Sequence, residues 1–348
     1  MIPIIPARFW TGIALSYRIE RMHSRITGTG SYVPEQRVDN AEICKTLAMA
    51  PEAVFRLTGI RSRHWAGPKQ TTSDLAEQAA RRACESADVD PASIEAVLLS
   101  TTSPDRTLPS TACAVQSRLG MQGAAAFDVA ASCSGFLYGL SMADRFIRSG
   151  QFQRCLVVAA EIKSRFLNLE DQATAVLFSD GAGAVVVQGQ ERRDSSGVLG
   201  IRLYADGAGH GLIGIPAGGS RSRTTRKTVE DQEHVLGMQG GPLFRTAVKR
   251  LAGAVNDLMK EFGCSFEEVS LAMFHQANGR LLSALGRRLR LPPEKLYSVI
   301  DRIGNPSSAS LPIAMDVANR EGRLRSGDLL ILGTFGGGLT WATGFVRW

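Results

Sequence analysis

The sequence of 348 residues lacks paired cysteines, metal-ligand spacings and any long unbroken apolar run. No CxxC or Cys/His pattern relates its six cysteines, which argues against a disulfide framework and against a bound metal. The apolar stretch at residues 1–21 is interrupted by Pro3, Pro6 and Arg8 and is too short to span a bilayer. Because no secretory signal is present either, the pattern predicts a cytoplasmic protein that makes no membrane contact.

Nucleic-acid-binding patterns are missing as well, although the chain is basic. Its 40 Lys and Arg residues against 33 Asp and Glu give a formal net charge of +7, which favours an anionic partner. No helix-turn-helix, zinc-finger or Arg/Gly-rich pattern accompanies this charge, so nucleic acid is not expected. An acidic carrier protein and a coenzyme phosphate fit the charge equally well.

The sequence does contain the alternation of strands and helices that is typical of a layered α/β fold. Apolar residues make up 44 % and charged residues 21 %, as in ordinary globular proteins. Helical spacing predicts helices over residues 73–87, with Ser73 as N-cap, and over residues 242–260. Continuous apolar runs predict strands buried on both faces at residues 96–100, 156–160, 184–187 and 329–332.

Weak internal symmetry predicts that the chain consists of two similar halves. A helix, a polar turn and the run AVLLSTTSP have a counterpart in a later helix followed by EEVSLAMFHQAN. The halves are expected at residues 22–195 and 196–348, with the boundary in the polar segment QERRDSS. Residues 1–21 are interpreted as an N-terminal extension, because the segment from Met22 onward is typical of a first strand.

Cys133 is the candidate nucleophile. It lies in DVAASCSGFLYGL, where small residues are followed by a helical pattern, so the thiol is expected at a helix N-terminus. Unpaired backbone N–H groups at that position favour the thiolate, and the small neighbours leave room for a substrate. The other five cysteines are interpreted as structural.

Three further segments contain residue types that acyl transfer needs. His275 lies in FHQANGR directly after an apolar run, at a strand end of the kind where α/β proteins build sites. Asn305 lies in GNPSSASLPIAM, a loop that enters a helix. The glycine-rich segment LGTFGGGLTWATGF lets the backbone approach a ligand and present N–H groups to an oxyanion.

Together, the motifs DVAASCSGF, HQAN, GNPSSAS and FGGGLTW resemble the β-ketoacyl-acyl-carrier-protein synthase III family of the thiolase superfamily, in its order and spacing, from about residue 22 to the end. The resemblance implies a five-layer αβαβα fold of two duplicated halves, assembled as a homodimer. It implies that Cys133 is acylated, that His275 and Asn305 complete a Cys-His-Asn triad, and that the N–H groups of Cys133 and Gly337 form the oxyanion hole. The implied reaction, which needs no cofactor, is decarboxylative condensation of the primer on Cys133 with malonyl-acyl-carrier protein, giving a 3-oxoacyl-acyl-carrier protein.

Three positions depart from the family's grip on coenzyme A. Ala53 replaces an adenine-stacking Trp, and Leu57 and Gln172 replace two Arg residues. Stacking and charged contacts are worth roughly 1–3 kcal/mol each, so we expect weak binding of coenzyme A. The positions that dock the carrier protein in the family are, in contrast, all basic, and three of them share one helix face by their spacing. They are Arg245, Arg280, Arg287 and Arg288.

The acyl pocket is expected to be larger than one that accepts only acetyl. Leu108, in TLPSTAC, replaces a Phe that closes this pocket from the partner subunit in some family members. Leucine is smaller and more flexible, and Phe178 and Leu236 are the expected further wall residues. We therefore predict primers longer than acetyl.

Two alternatives keep the acyl group on Cys133 and remain open. In the first alternative, the group is transferred to oxygen or nitrogen of a small metabolite. In the second, a dicarboxylic primer is condensed to form a biotin precursor. Only condensation requires malonyl decarboxylation, so CO₂ release that depends on Asn305 separates condensation from transfer. A noncatalytic binding protein is disfavoured by the complete triad, and thiolytic cleavage by the absence of a second cysteine after Cys264.

Overall fold

The computed structural model of the chain describes residues 22–191 and 196–348. The predicted extension, residues 1–21, lies outside the described residues, and so do residues 192–195 at the predicted boundary between the halves, which stays a prediction. The strands are β1 (Met22–Tyr32), β2 (Gln36–Asp39), β3 (Ser62–Trp65), β4 (Ala96–Ser100), β5 (Ala125–Val129), β6 (Arg154–Ile162), β7 (Asp180–Glu191), β8 (Gly197–Ala205), β9 (Ile213–Gly214), β10 (Gly237–Met238), β11 (Leu271–Phe274), β12 (Leu296–Tyr297), β13 (Leu329–Gly336) and β14 (Thr340–Arg347). The helices are α1 (Asn40–Ile43), α2 (Pro51–Thr58), α3 (Thr72–Ser86), α4 (Thr111–Arg118), α5 (Gly135–Arg148), α6 (Arg226–Glu230), α7 (Gly240–Phe262), α8 (Gly279–Leu289), α9 (Ile300–Ile303) and α10 (Ser310–Arg320).

All four predicted strands are confirmed, as β4 and as parts of β6, β7 and β13. Every residue of β4 and of β13 is buried, as expected for strands that are covered on both faces. Both predicted helices are also present, as α3 and α7, although α7 is two residues longer at each end than its pattern indicated.

The predicted N-cap of α3 was wrong, because the helix is capped by Thr71 and not by Ser73. The Thr71 hydroxyl accepts a hydrogen bond from the backbone N–H of Asp74, and the Asp74 carboxylate accepts one from the backbone N–H of Thr71. This reciprocal capping box needs an acidic or amide side chain three residues after the cap, and Ser73 has Ala76 at that position.

The two main sheets have the same topology. The first has the order β1-β7-β6-β4-β5, and the second has the order β8-β14-β13-β11-β12. In the first, β4 is parallel to β5 and β6, and β7 is antiparallel to β6 and β1. In the second, β11 is parallel to β12 and β13, and β14 is antiparallel to β13 and β8. Each half therefore builds one sheet by the same sequence of pairings, which confirms the predicted duplication.

Helices separate and cover the two sheets, producing five layers. The apolar residues of α5 and α10 share one core cluster with strands of both sheets, so these two helices form the central layer. Helix α3 packs on the outer face of the first sheet, and α7 and α8 pack on the outer face of the second. The predicted αβαβα fold is confirmed. In the described part of the chain, no helix is both long and apolar enough to cross a bilayer.

Candidate active site

Cys133 lies in a short 3-10 turn, Ser132–Ser134, that leads directly into α5. The end of β13 packs against this turn so closely that a Cβ atom at Gly336 would be 2.7 Å from the Cys133 backbone nitrogen. Only glycine permits this approach, which places the backbone at Gly336 and Gly337 beside Cys133. The glycine run that the sequence analysis singled out therefore adjoins Cys133.

Burial opposes the effect of the helix start on the ionisation of Cys133. Part of its side chain is accessible from a cavity, but the surrounding protein desolvates the sulfur, and this burial raises the pKa of the Cys133 thiol. A hydrogen bond with Ser307 opposes the increase without cancelling it. Desolvation thus outweighs the effect of the helix start, and the resting group is a thiol.

His275 follows β11 and is 5 % exposed. Its Nδ1 atom lies 2.5 Å from Ser310 Oγ, which also accepts a hydrogen bond of 3.1 Å from the backbone N–H of Gln276. The bond from Gln276 leaves the hydroxyl hydrogen of Ser310 and one acceptor site available to Nδ1. We assign the tautomer in which the hydroxyl donates to Nδ1 and the ring proton lies on Nε2. Burial lowers the pKa of His275 to about 4, so the ring is neutral at pH 7 and remains a donor through Nε2.

Asn305 is 4 % exposed and is held at both ends of its amide. Its Oδ1 accepts a hydrogen bond of 2.9 Å from the Ser307 backbone N–H, and its Nδ2 donates one of 3.1 Å to the Ala277 carbonyl. Gly304 precedes it at φ +68°, and a Cβ there would lie 2.9 Å from Arg63 Cβ, so the turn requires glycine. An amide group has two hydrogens, so Asn305 can donate its second one to a ligand.

Two cavities meet at Cys133. The first, of about 290 Å³, is lined by Cys133, His275 and Asn305 together, and also by Leu57 and Gln172. The second, of about 240 Å³, is lined by Cys133 and by a mainly apolar wall that includes Phe178 and Leu236. Lys163 also lines this cavity. The structure thus brings the predicted triad to one cavity and two predicted pocket residues to the other.

The other predicted residues lie outside the two cavities. Leu108 is 79 % exposed and lines neither cavity of its own chain, so its predicted contact with a partner subunit remains a prediction. Ala53, on α2, is also absent from both cavity walls. The four predicted docking residues are all exposed, one on α7 and three on α8, whose opposite face is buried against α7. They are Arg245, Arg280, Arg287 and Arg288.

The sequence analysis did not single out four polar residues of the site: Glu161, Lys163 and Ser307 near Cys133, and Ser310 beside His275. Glu161 is 0 % exposed at the end of β6, and Lys163 Nζ lies 3.1 Å from its Oε2. Two signals were present, namely a carboxylate directly after the apolar run of residues 156–160 and the serines of GNPSSAS. Among the described residues, no group of three or more His, Cys, Asp or Glu could hold a metal ion.

An acylatable thiol, a neutral histidine and an amide donor at one cavity, in this five-layer fold, define the class of thiolase-fold acyltransferases. The family model described as 3-oxoacyl-[acyl-carrier-protein] synthase III matches residues 127–207, and the model of its C-terminal part matches residues 259–348. The chain is also 41 % identical over 329 residues to the β-ketoacyl-[acyl-carrier-protein] synthase III of Caldanaerobacter subterraneus subsp. tengcongensis, covering 94 % of this chain and 99 % of that protein. This chain therefore belongs to the β-ketoacyl-[acyl-carrier-protein] synthase III family.

Solved structures agree with this assignment. The 3-oxoacyl-[acyl-carrier-protein] synthase III of Aquifex aeolicus superimposes with a TM-score of 0.85 at 38 % identity, covering 93 % of this chain and 100 % of that one. The priming β-ketosynthase of the R1128 polyketide pathway superimposes with a TM-score of 0.86 at 33 % identity, covering 94 % and 96 %.

Proposed function

We propose that this enzyme condenses an acyl primer on Cys133 with malonyl-acyl-carrier protein, releasing CO₂ and giving a 3-oxoacyl-acyl-carrier protein. The observation that carries the proposal is that His275 and Asn305 line the same cavity as Cys133, each with a hydrogen available for donation. Two neutral donors beside a thiol suit the stabilisation of an enolate oxygen next to an acyl-enzyme. The reaction uses no cofactor.

In the first half-reaction, Cys133 Sγ attacks the carbonyl carbon of the primer thioester and the carrier thiol leaves. The charge on the carbonyl oxygen is stabilised by the backbone N–H groups of Cys133 and Gly337, a role supported by the close approach of Gly336 to the nucleophile. The acyl chain occupies the 240 Å³ cavity against Phe178 and Leu236. The product is a thioester, so the acyl group stays activated.

In the second half-reaction, the carbon–carbon bond to the malonyl carboxylate breaks, CO₂ leaves and the electron pair forms an enolate. His275 Nε2–H and Asn305 Nδ2–H donate to its oxygen. The enolate carbon attacks the acyl carbon on Cys133, the carbon–sulfur bond breaks, and Cys133 leaves as a thiolate that then takes up a proton from solvent. A neutral His275 suffices, because its role is donation and not proton removal. Removing one such donor typically costs about 10²–10³ in rate.

Both substrates arrive on carrier protein. Leu57 and Gln172 line the 290 Å³ cavity and supply no charge for a nucleotide, whereas the exposed arginines of α7 and α8 supply a basic face for an acidic carrier. The functional unit is a cytoplasmic homodimer in which Leu108 faces the partner's acyl pocket. Neither a nucleic acid nor a membrane is a partner.

The test is acylation of Cys133 by matched panels of acyl-coenzyme A and acyl-carrier protein, read by intact mass spectrometry. The panels span C2 to C12 chains and include dicarboxylic chains, because Lys163 lines the acyl cavity. We expect transfer mainly from carrier protein and from chains longer than acetyl, with no mass gain in Cys133→Ala. Efficient acylation by acetyl-coenzyme A would refute the assignment of carrier and chain length.

Condensation itself is tested by adding malonyl-acyl-carrier protein to the acyl-enzyme and measuring CO₂. We expect CO₂ release that is lost in Asn305→Ala. Acylation without CO₂ release, followed by transfer to an added alcohol or amine, would instead support the alternative acyl transfer to oxygen or nitrogen.

A further inference from the structure

The hydrogen-bond partner of the nucleophile is a hydroxyl. Ser307 Oγ lies 3.3 Å from Cys133 Sγ. Ser307 has φ +51°, a left-handed conformation that a residue with a side chain rarely adopts, and its backbone N–H is fixed by Asn305 Oδ1. The loop therefore holds a serine in an unfavourable backbone conformation that places its hydroxyl at the sulfur.

The same hydroxyl contacts a buried carboxylate. Ser307 Oγ lies 3.2 Å from Glu161 Oε1, and Lys163 Nζ lies 3.1 Å from Glu161 Oε2. Burial disfavours the ionised form of Glu161, but Lys163 and several hydrogen-bond donors hold the pKa of this carboxyl below its usual value. Because a carboxylate only accepts hydrogen bonds, the hydrogen of Ser307 points toward Glu161 and its oxygen lone pairs face Cys133.

We propose that Ser307 is a two-way hydrogen-bond partner of Cys133 whose orientation is set by Glu161. In the resting enzyme Ser307 accepts from the thiol and donates to Glu161. When the sulfur is anionic, as at the moment the condensed product leaves, the hydroxyl turns and donates to Sγ. The proposal goes beyond the Cys-His-Asn triad and rests on the proposed function only in taking Cys133 as the acylated group.

The surroundings of Glu161 permit this turn. When Ser307 turns away, the carboxylate still accepts hydrogen bonds of 2.6 Å from Ser103 Oγ, 2.9 Å from Ser308 Oγ and 3.1 Å from the Thr102 backbone N–H. The buried charge therefore stays satisfied in both orientations. Three ionisable groups lie around the sulfur. Glu161 is in β6, Lys163 directly follows β6, and the neutral His275 lies in the loop after β11.

The proposal predicts opposite effects of two substitutions on the ionisation of Cys133. Ser307→Ala removes the side-chain donor to the thiolate, so the pKa of the thiol should increase by roughly one unit. Glu161→Gln removes a nearby negative charge. Lys163 Nζ and the Thr102 N–H favour the amide oxygen on the former Oε2 side, so the NH₂ group faces Ser307, the Ser307 hydrogen becomes free to reach Cys133, and the pKa should decrease by roughly one unit. A purely structural role for the two residues has no reason to produce opposite signs.

The measurement is the rate of iodoacetamide alkylation at Cys133 between pH 6 and pH 11, a range that extends well above the ordinary thiol pKa of 9.0, followed by intact mass spectrometry of the full chain. Cys133→Ala corrects for the other cysteines. Ser308→Ala is the matched control, because Ser308 contacts Glu161 without a hydrogen bond to Cys133. We expect its midpoint to equal that of the unmodified protein.

Shifts of Ser307→Ala and Glu161→Gln in the same direction, or no shift in either, would overturn the proposal, as would a Ser308→Ala shift equal to that of Ser307→Ala. If Glu161→Gln fails to fold, the double variant Glu161→Gln with Lys163→Met replaces it, because this variant leaves no unpaired buried charge. It again releases the Ser307 hydrogen, so a lower midpoint is expected. An unchanged or higher midpoint overturns the proposal. Alkylation does not require condensation. If the enzyme does not condense its substrates but the two variants shift the pKa of Cys133 in opposite directions, the proposed function is refuted and this inference stands.

Discussion

His275 should make the stability of the protein depend on pH in a calculable way. The ring is buried, and its pKa is about 4 in the folded protein against an ordinary value of 6.5. Between these two values the unfolded chain binds a proton at His275 and the folded chain does not, so stability increases as the pH rises through this interval. Since one pKa unit corresponds to 1.36 kcal/mol, the destabilisation is about 3 kcal/mol below pH 4, about 2 kcal/mol at pH 5 and nearly absent at pH 7.

The assay compares the unmodified protein with His275→Gln by urea unfolding at pH 7 and pH 5, at one fixed protein concentration. Glutamine keeps an amide that can accept from Ser310 but does not titrate. Other groups titrate equally in both proteins, so the unmodified protein should lose about 2 kcal/mol more than the variant on going to pH 5. Equal losses would show that the folded pKa of His275 is not depressed and would remove the physical basis for treating it as a neutral donor.

Three further experiments, using five substitutions, test the site and its surface. Asn305→Ala should lower condensation about 10²–10³-fold while acylation of the nucleophile, read by mass, persists; equal losses in both half-reactions would contradict the assigned role. Gly336→Ala should abolish acylation, because the added Cβ would lie 2.7 Å from the backbone nitrogen of Cys133. Gly253→Ala is the control, because Gly253 in α7 faces open space. This control should keep acylation and increase the free energy of unfolding in urea by about 0.5–1 kcal/mol. Arg280→Glu with Arg287→Glu should raise KM for carrier-bound primers but not for coenzyme A primers, and a uniform change in both would exclude α8 as the docking face.

Much of the fold could be predicted because it depends on local patterns. The runs that became β4 and β13 are continuously apolar, and such runs indicate strands that helices cover on both faces. The cap of α3 was predicted wrongly although the deciding signal is local. Thr71 and Ser73 are both good cap residues, and only the acidic partner of Thr71 at position 74 decided between them.

The sequence by itself determined the alternation of strands and helices, the duplicated order of the halves and the motifs that contain Cys133, His275 and Asn305, because each of these depends on residues close together in the chain. The tertiary structure alone decided the chemical state of those residues. The pKa of the Cys133 thiol is raised because the folded protein desolvates it, and the assigned proton on His275 Nε2 depends on Ser310, which contacts Nδ1 from the start of α10. Glu161 is brought to Ser307 in the same way, from the far end of a separate strand. Protonation depends on burial and on partners in space, and these exist only after the chain has folded.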